Sequence, residues 1–290
     1  MATQQTRVLA RVAVAPSVIM LFIWMIVPLV LTIYYSLNNY TLDDPTNFYW
    51  NSFGNYTYFL TDPTFFKSLG VSLLIVGSVL AITIVGGILI ALLMDQPFAG
   101  QGIVRLMVLA PFFVMPTVAA LIWKNLFMNA DGGMLTWVSQ VLHLPVVVWF
   151  TNWPLLSIII IVAWQWLPFA TLILLTAIQS LDEEQKEASQ LDGAKPISYF
   201  FYIVLPHLSR AITVVILIET IFLLTVFAEI FVTTGGGPGL QTTNIAFLIY
   251  SQALIQFDVG SASAGGLVAV VIANVVAFFL VRIVGRNLEA

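Results

Sequence analysis

Long apolar runs alternate with short polar connections along almost the whole chain. Six runs, near 12–36, 68–93, 103–127, 153–179, 208–232 and 263–284, reach the length of about 20 residues that a helix needs to cross hydrocarbon. A backbone inside a bilayer must satisfy its own hydrogen bonds, so helix is expected even across a β-branched run such as Ile158–Val162. The pattern predicts an all-α, polytopic membrane protein with six transmembrane helices in one domain spanning 1–290.

The connections carry their own signals. Asp95–Gly102, with Pro97 and Gly100, reads as a tight hairpin between spans 2 and 3. Segment 38–66 is long and rich in Asn, Asp, Pro and Tyr, as a partly ordered loop would be. Within 128–152, Met134, Leu135, Val138, Val141 and Leu142 recur at the spacing of a short amphipathic helix lying on the membrane surface. Segment 233–262 opens with Thr234-Gly235-Gly236-Gly237-Pro238, which cannot continue a helix. It then turns apolar, as a segment dipping back toward the membrane or lining a vestibule would.

Composition supports this reading: 60% of the residues are hydrophobic and 8% charged, which excludes an ordinary soluble domain. Eight of the ten cations (Arg7, Arg11, Arg105, Lys186, Lys195, Arg210, Arg282 and Arg286) fall on one side of the spans and only Lys67 and Lys124 on the other. The positive-inside rule then places both termini and the loop 182–206 in the cytoplasm. Residues 1–11 are too short for a processed leader and span 1 too long for an h-region, so span 1 is expected to be retained. With no cysteine, disulfides, thiolate metal sites and cysteine nucleophiles are absent, and no metal site is expected. The net charge of −4 is spread out, so nucleic acid is not an expected partner. Asn39 and Asn55 match the N-glycosylation pattern, which is read as a chance match.

Charge is concentrated in one place. Five of the 14 acids and two of the lysines, Lys186 and Lys195, lie within the 25 residues Asp182–Pro206. Glu183, Glu184 and Glu187 suit the early turns of a helix, where the dipole is positive. Ala188 and Leu191 give it an apolar edge, and Gly193 ends it as a left-handed residue. Pro196 suits the first turn of a second helix over Ile197–Val204, with Leu205-Pro206 breaking it before span 5. Two short exposed helices of mixed charge fit a groove on a protein better than anionic lipid.

The spacing within this loop resembles a known signature. Glu187-Ala188-Ser189, three residues, Gly193, nine residues, then Ile203-x-Leu205-Pro206 matches every interval of the EAA loop of ABC-importer permeases, with Ser189 standing where the pattern has alanine. Thr234–Pro238 resembles the TGGGP element of the carbohydrate branch, the maltose-type first permease subunit in particular, as do Asp192-Gly193-Ala194 and Trp123-Lys124-Asn125-Leu126-Phe127. The likeness is specific over spans 3 to 6 and extends to spans 1 and 2 by layout. It implies the type I ABC-importer permease fold, in the bacterial inner membrane. It also implies that Glu187, Ala188, Ser189, Asp192, Gly193 and Ala194 form the coupling helix that docks on a cytoplasmic ATPase. The implied partners are a second, different permease, two copies of the ATPase and a periplasmic or extracellular solute-binding protein. The chain has no GxxxxGK[S/T], so ATP and Mg would be bound by the partner ATPase and no cofactor by this chain.

Polar residues inside spans are expensive and therefore candidates for function. Counting from span ends puts Thr117 fifteenth in span 3, Gln165 thirteenth in span 4, Glu219 twelfth in span 5 and Asn274 twelfth in span 6, all near the midplane. An amide and a carboxylate flanked by Trp164, Trp166 and Phe169 offer acceptors for hydroxyls and apolar faces for the C–H surface of a polyhydroxylated ligand. The resemblance independently implies substrate contacts at Trp164, Gln165, Trp166 and Phe169 and at Glu219, Phe222, Leu223 and Val226. Glu219 departs from the maltose pattern, which has a small hydroxyl residue there, and this favours a monosaccharide or sugar alcohol over a disaccharide.

Two rivals stand beside the importer reading. An ion-coupled secondary transporter could relay protons through Glu219 and Glu229, although such proteins often have inverted repeats and more spans. An intramembrane enzyme would have little to work with: the only histidines, His143 and His207, lie outside the spans, and HExxH and GxSxG are missing.

Overall fold

The computed structural model describes the backbone of residues 4–289, and the side chains of these except residues 4–11, Lys186, Gln190 and 283–289. Arg7, Arg11, Lys186 and Arg286, four of the cations in the orientation argument, lie outside the described side chains.

In chain order, α1 (Gln4–Ser36) leads into a two-residue antiparallel pair, β1 (Asn38–Asn39) and β2 (Tyr49–Trp50), and then α2 (Gly54–Thr61). The long α3 (Pro63–Asp95) precedes α4 (Gln101–Leu109), which continues as a 3-10 turn to Phe113. Next come α5 (Pro116–Ile122), extended by a π turn to Phe127, and the short α6 (Met134–Val141) and α7 (Trp149–Asn152). α8 (Pro154–Gln179), α9 (Glu183–Leu191) and α10 (Pro196–Tyr199) follow, the last running through a π turn into α11 (Leu205–Leu223). The chain closes with α12 (Ala228–Thr233), α13 (Ile245–Tyr250, with a π turn to Ile255) and α14 (Val259–Glu289). Among the described residues, five helices are long and apolar enough to cross a membrane, and the bent pair Gln101–Phe113 and Pro116–Phe127 makes six when taken as one span.

Contacts divide the chain into two units, Met1–Asp62 with Ile249–Val271 and Pro63–Leu248 with Ile272–Ala290. In the first, the loop after α1 is ordered by backbone bonds to the start of α14. The Tyr40 carbonyl accepts from the Val259 and Gly260 N–H groups (3.0 Å each), and Leu42 N–H donates to Phe257 O (2.8 Å). Asp258 Oδ1 caps that start by accepting from Ser261 N–H (2.9 Å). The buried Asn55 amide donates to Ser36 O (2.9 Å) and Asn38 O (2.8 Å), a structural use that leaves it unsuited to carry a glycan.

The second unit is built on α3 against α8, with α11 packed on both. The approach is close because glycine lines it: a Cβ on Gly87 would meet Ala170 Cβ at 3.1 Å and Leu174 Cδ1 at 3.2 Å. Ile88, Ala91, Ala170, Leu174, Leu208 and Val215 form its apolar core.

The short link between α3 and α4, a helix at 134–141 and helical structure after the glycine element are all present. The structure differs in two spans. Span 3, expected as one helix over 103–127, bends by 107° between Phe113 and Pro116. Pro116 has no N–H to give back, and Val114 and Met115 adopt extended backbone. Span 5, expected over 208–232, ends as a helix at Leu223 and restarts at Ala228. Toward its N-terminus it continues back to Pro196, so the apolar helix is Pro196–Leu223.

Candidate functional site

The loop between α8 and α11 has the first helix and the turn that the sequence predicts. The helix from Pro196, however, runs on through Leu205-Pro206 into α11 instead of breaking there, because proline is tolerated in the first turn after the π turn. α9 closes with Asp192 N–H to Ala188 O and Ala194 N–H to Ser189 O, both 3.0 Å, and Gly193 between them sits at φ +70°. A side chain at that φ is disfavoured, which explains the glycine. Lys195 is extended, and Pro196 opens the next helix. Glu187, Ala188, Asp192, Gly193 and Ala194 are exposed, while Ser189 is turned inward and buried. The small side chain in the third position of the triplet is thus a packing residue. Leu191, Ile197 and Tyr202 are 89%, 72% and 82% exposed.

The glycine element is a structural hairpin. Thr234 and Gly235 N–H both donate to Ile230 O, ending α12 (3.1 and 2.8 Å). Thr242 and Thr243 hydroxyls donate back to the carbonyls of Gly237 (3.0 Å) and Gly236 (2.9 Å). A Cβ on Gly236, at φ +84°, would lie 2.6 Å from both Phe247 Cε1 and Thr243 Oγ1, so only glycine fits.

Within the apolar spans the predicted residues separate into an aromatic surface and a buried polar set. Trp166, Phe169 and Phe222 come together: Trp166 lies 5.8 Å from Phe169 and 5.2 Å from Phe222, ring centroid to centroid. Phe112 joins them, at 5.8 Å from each of Trp166 and Phe169. Trp164 points elsewhere and meets Trp123 edge-on at 5.9 Å. Thr117 is exposed on the first turn of α5, whereas Leu223 and Val226 are buried.

Gln165 and Glu219 are both buried, and each reaches a different neighbour. Gln165 Nε2 donates to the Val114 carbonyl freed by the bend in span 3 (3.3 Å), and its Oε1 has no partner. Glu219 is wholly enclosed; Oε2 accepts from Thr83 Oγ1 of α3 (2.7 Å) and Oε1 has no partner. Its position counted within 208–232 no longer applies, because its helix begins at Pro196. Thr83 supplies another gauge: it lies 12 residues from Asp95 at the C-terminal end of α3, about 18 Å along a helix. Glu229 is buried at the start of α12, in a separate helix from Glu219.

The sequence reading missed three residues of this region. Thr83 is a hydroxyl well inside a long apolar run, and the depth argument applied to the other spans would have found it. Phe112 sits between Pro111 and Pro116, a signal for irregular backbone rather than for an aromatic cluster. Asn244, whose Nδ2 donates to the Val226 carbonyl freed by the break in span 5 (2.5 Å), lies in a loop with no local mark of that role.

Comparison with known proteins agrees with this geometry. The family described as "Binding-protein-dependent transport system inner membrane component" matches residues 83–290. A probable ABC transporter permease protein, y4oQ of Sinorhizobium fredii, is 33% identical over 86% of this chain and 81% of its own length. The sulfoquinovosyl glycerol transport system permease protein SmoG of Agrobacterium fabrum is 30% identical over 96% of this chain and 91% of its own length. The crystal structure of a bacterial ABC transporter involved in import of the acidic polysaccharide alginate contains a chain of the same fold. Its TM-score is 0.79 at 22% identity, covering 96% of this chain and 95% of that one. The chain is therefore a multi-pass membrane protein with the ABC-importer permease fold, and it belongs to the family of inner-membrane components of binding-protein-dependent transport systems.

Proposed function

We propose that this chain is one permease subunit of an ATP-driven importer of sugars or sugar alcohols. The observation that carries the proposal is the loop 182–206, where a left-handed Gly193 joins the short α9 to the helix that begins at Pro196, with Glu187, Leu191 and Ile197 exposed to a partner. In this reading residues 1–290 form half of a translocation pathway, with both termini and the loop in the cytoplasm. Glu187, Ala188, Asp192, Gly193 and Ala194 meet the ATPase, and the buried Ser189 fixes α9 beneath them. A second permease supplies the other half, two ATPase copies bind ATP and Mg, and an external solute-binding protein delivers substrate.

Substrate recognition is assigned to the aromatic surface of Trp166, Phe169 and Phe222, to the exposed Thr117, and to Trp164, Leu223 and Val226, which the resemblance adds. The partnerless oxygens of Gln165 and Glu219 are acceptors that a polyol hydroxyl satisfies when the pathway opens to them. The names of relatives support a carbohydrate-like ligand, since one transports sulfoquinovosyl glycerol and another, in Thermococcus litoralis, trehalose and maltose. An ion-coupled transporter working through Glu219 and Glu229 gains no support from the family or the fold.

The test is uptake into proteoliposomes holding the complete complex, with a panel of labelled monosaccharides, disaccharides and sugar alcohols. Uptake is expected to require ATP and the binding protein and to survive collapse of the proton gradient. Uptake that persists without ATP and stops with the gradient would overturn the proposal.

A further inference from the structure

The two spans that break are fastened to each other beyond their breaks. α5 and α12 pack directly together. From the π turn that extends α5, the half-buried Lys124 reaches across, and its Nζ donates to the Val232 carbonyl at 2.8 Å. Val232 is in the last turn of α12, where carbonyls lack intrahelical partners. The Thr234 and Gly235 N–H groups that fold back over this helix end both go to Ile230 O. The ammonium therefore fills an acceptor that the hairpin leaves to it, and a cation suits the negative end of a helix.

Each of these outer halves joins the rest of its span through a short non-helical joint, Val114–Met115 in span 3 and residues 224–227 in span 5. At each joint a freed carbonyl is held by an amide from a third element, Gln165 of α8 or Asn244 ahead of α13. A half-helix that can turn at its joint but is tied to its neighbour by packing and a charge-assisted bond follows that neighbour.

We propose that Lys124 is a positioning residue for transport: it ties α5 to α12, so that the outer halves of spans 3 and 5 shift as one body through the cycle. The inference rests on the permease reading above. It requires a donor at position 124 but no particular substrate.

The chain contains no cysteine, so spin labels can be placed at Val118→Cys on α5 and Phe231→Cys on α12, both exposed, once the other subunits have been freed of theirs. The label separation, read by dipolar broadening in the complete complex, is expected to be the same in the resting and vanadate-trapped states. Lys124→Met keeps the apolar stem and loses the donor. With it the separation is expected to differ between the two states, and substrate moved per ATP to fall by roughly fivefold or more, the lower end of a typical coupling. Lys124→Arg is expected to restore both. A separation that changes between states with Lys124 intact overturns the proposal, without reliance on any variant folding. A Lys124→Met complex with unaltered separation and stoichiometry overturns it as well. A chain that copurifies with no ATPase overturns the permease reading itself, and this inference with it.

Discussion

Gly193→Pro is expected to abolish substrate uptake while leaving insertion of the chain and its pairing with the second permease intact. Gly193 has φ +70°, which proline cannot adopt because its ring holds φ near −65°. The turn must reorganise, and with it the angle between α9 and the helix that begins at Pro196. A proline in an incompatible backbone costs about 3 kcal/mol or more, which lowers the population of the native loop by roughly a hundredfold. The apolar spans lie outside the change, so membrane insertion does not depend on it. Gly193→Ala provides the graded control: alanine can occupy the left-handed region at about 1–2 kcal/mol, so a loss of roughly 5- to 30-fold is expected. Uptake and ATP hydrolysis measured on the same reconstituted complexes decide the matter. Coupled uptake at the native level in Gly193→Pro would remove the loop from the coupling mechanism.

Glu219→Ala is expected to weaken uptake by roughly 10- to 100-fold, the range for losing a hydrogen bond to a charged or strongly polar group. The structure allows this effect to be separated from a folding defect. Thr83 Oγ1 keeps a second acceptor in its own helix, Leu80 O at 3.2 Å, so removing the carboxylate does not strand the hydroxyl. The cavity left beside α3 has a stability cost, which thermal unfolding of the detergent-solubilised complex reports independently. Glu219→Gln keeps the shape and one acceptor oxygen, and its loss is expected to be smaller than that of alanine. If Glu219→Ala lowers the melting temperature but leaves the concentration dependence of uptake unchanged, the side chain only ties α11 to α3.

Much of the fold was legible because the strongest signals are local. Apolar length sets the spans, the spacing of Met134, Leu135 and Val138 sets the short helix α6, and the intervals around Gly193 set the loop with its left-handed turn. The two breaks were not legible, because what stabilises them is remote in sequence. Gln165 lies 51 residues from the Val114 carbonyl it satisfies, and Asn244 lies 18 from Val226. Pro116 announces that a hydrogen bond is missing, yet whether the helix kinks gently or turns through 107° depends on that distant amide. The intramembrane residues divide in the same way. Their polarity inside apolar runs identified Gln165 and Glu219 as unusual. Only packing reveals that both are enclosed, that Trp166, Phe169 and Phe222 form a surface with Phe112, and that Trp164 belongs with Trp123. A side chain's neighbours across a helix bundle are a tertiary fact, and no period in the sequence encodes them.

The central claim is that the loop 182–206 docks an ATPase, and the most direct measurement is copurification of the tagged chain in mild detergent with and without Glu187→Lys. Glu187 is exposed on α9, so reversing its charge leaves the fold of the spans untouched. The native chain is expected to bring down an ATPase and a second permease, and the variant to retain the permease and lose the ATPase. A native chain that purifies alone, under conditions that preserve other membrane complexes, would contradict the account, as would a variant that holds the ATPase as tightly as the native chain.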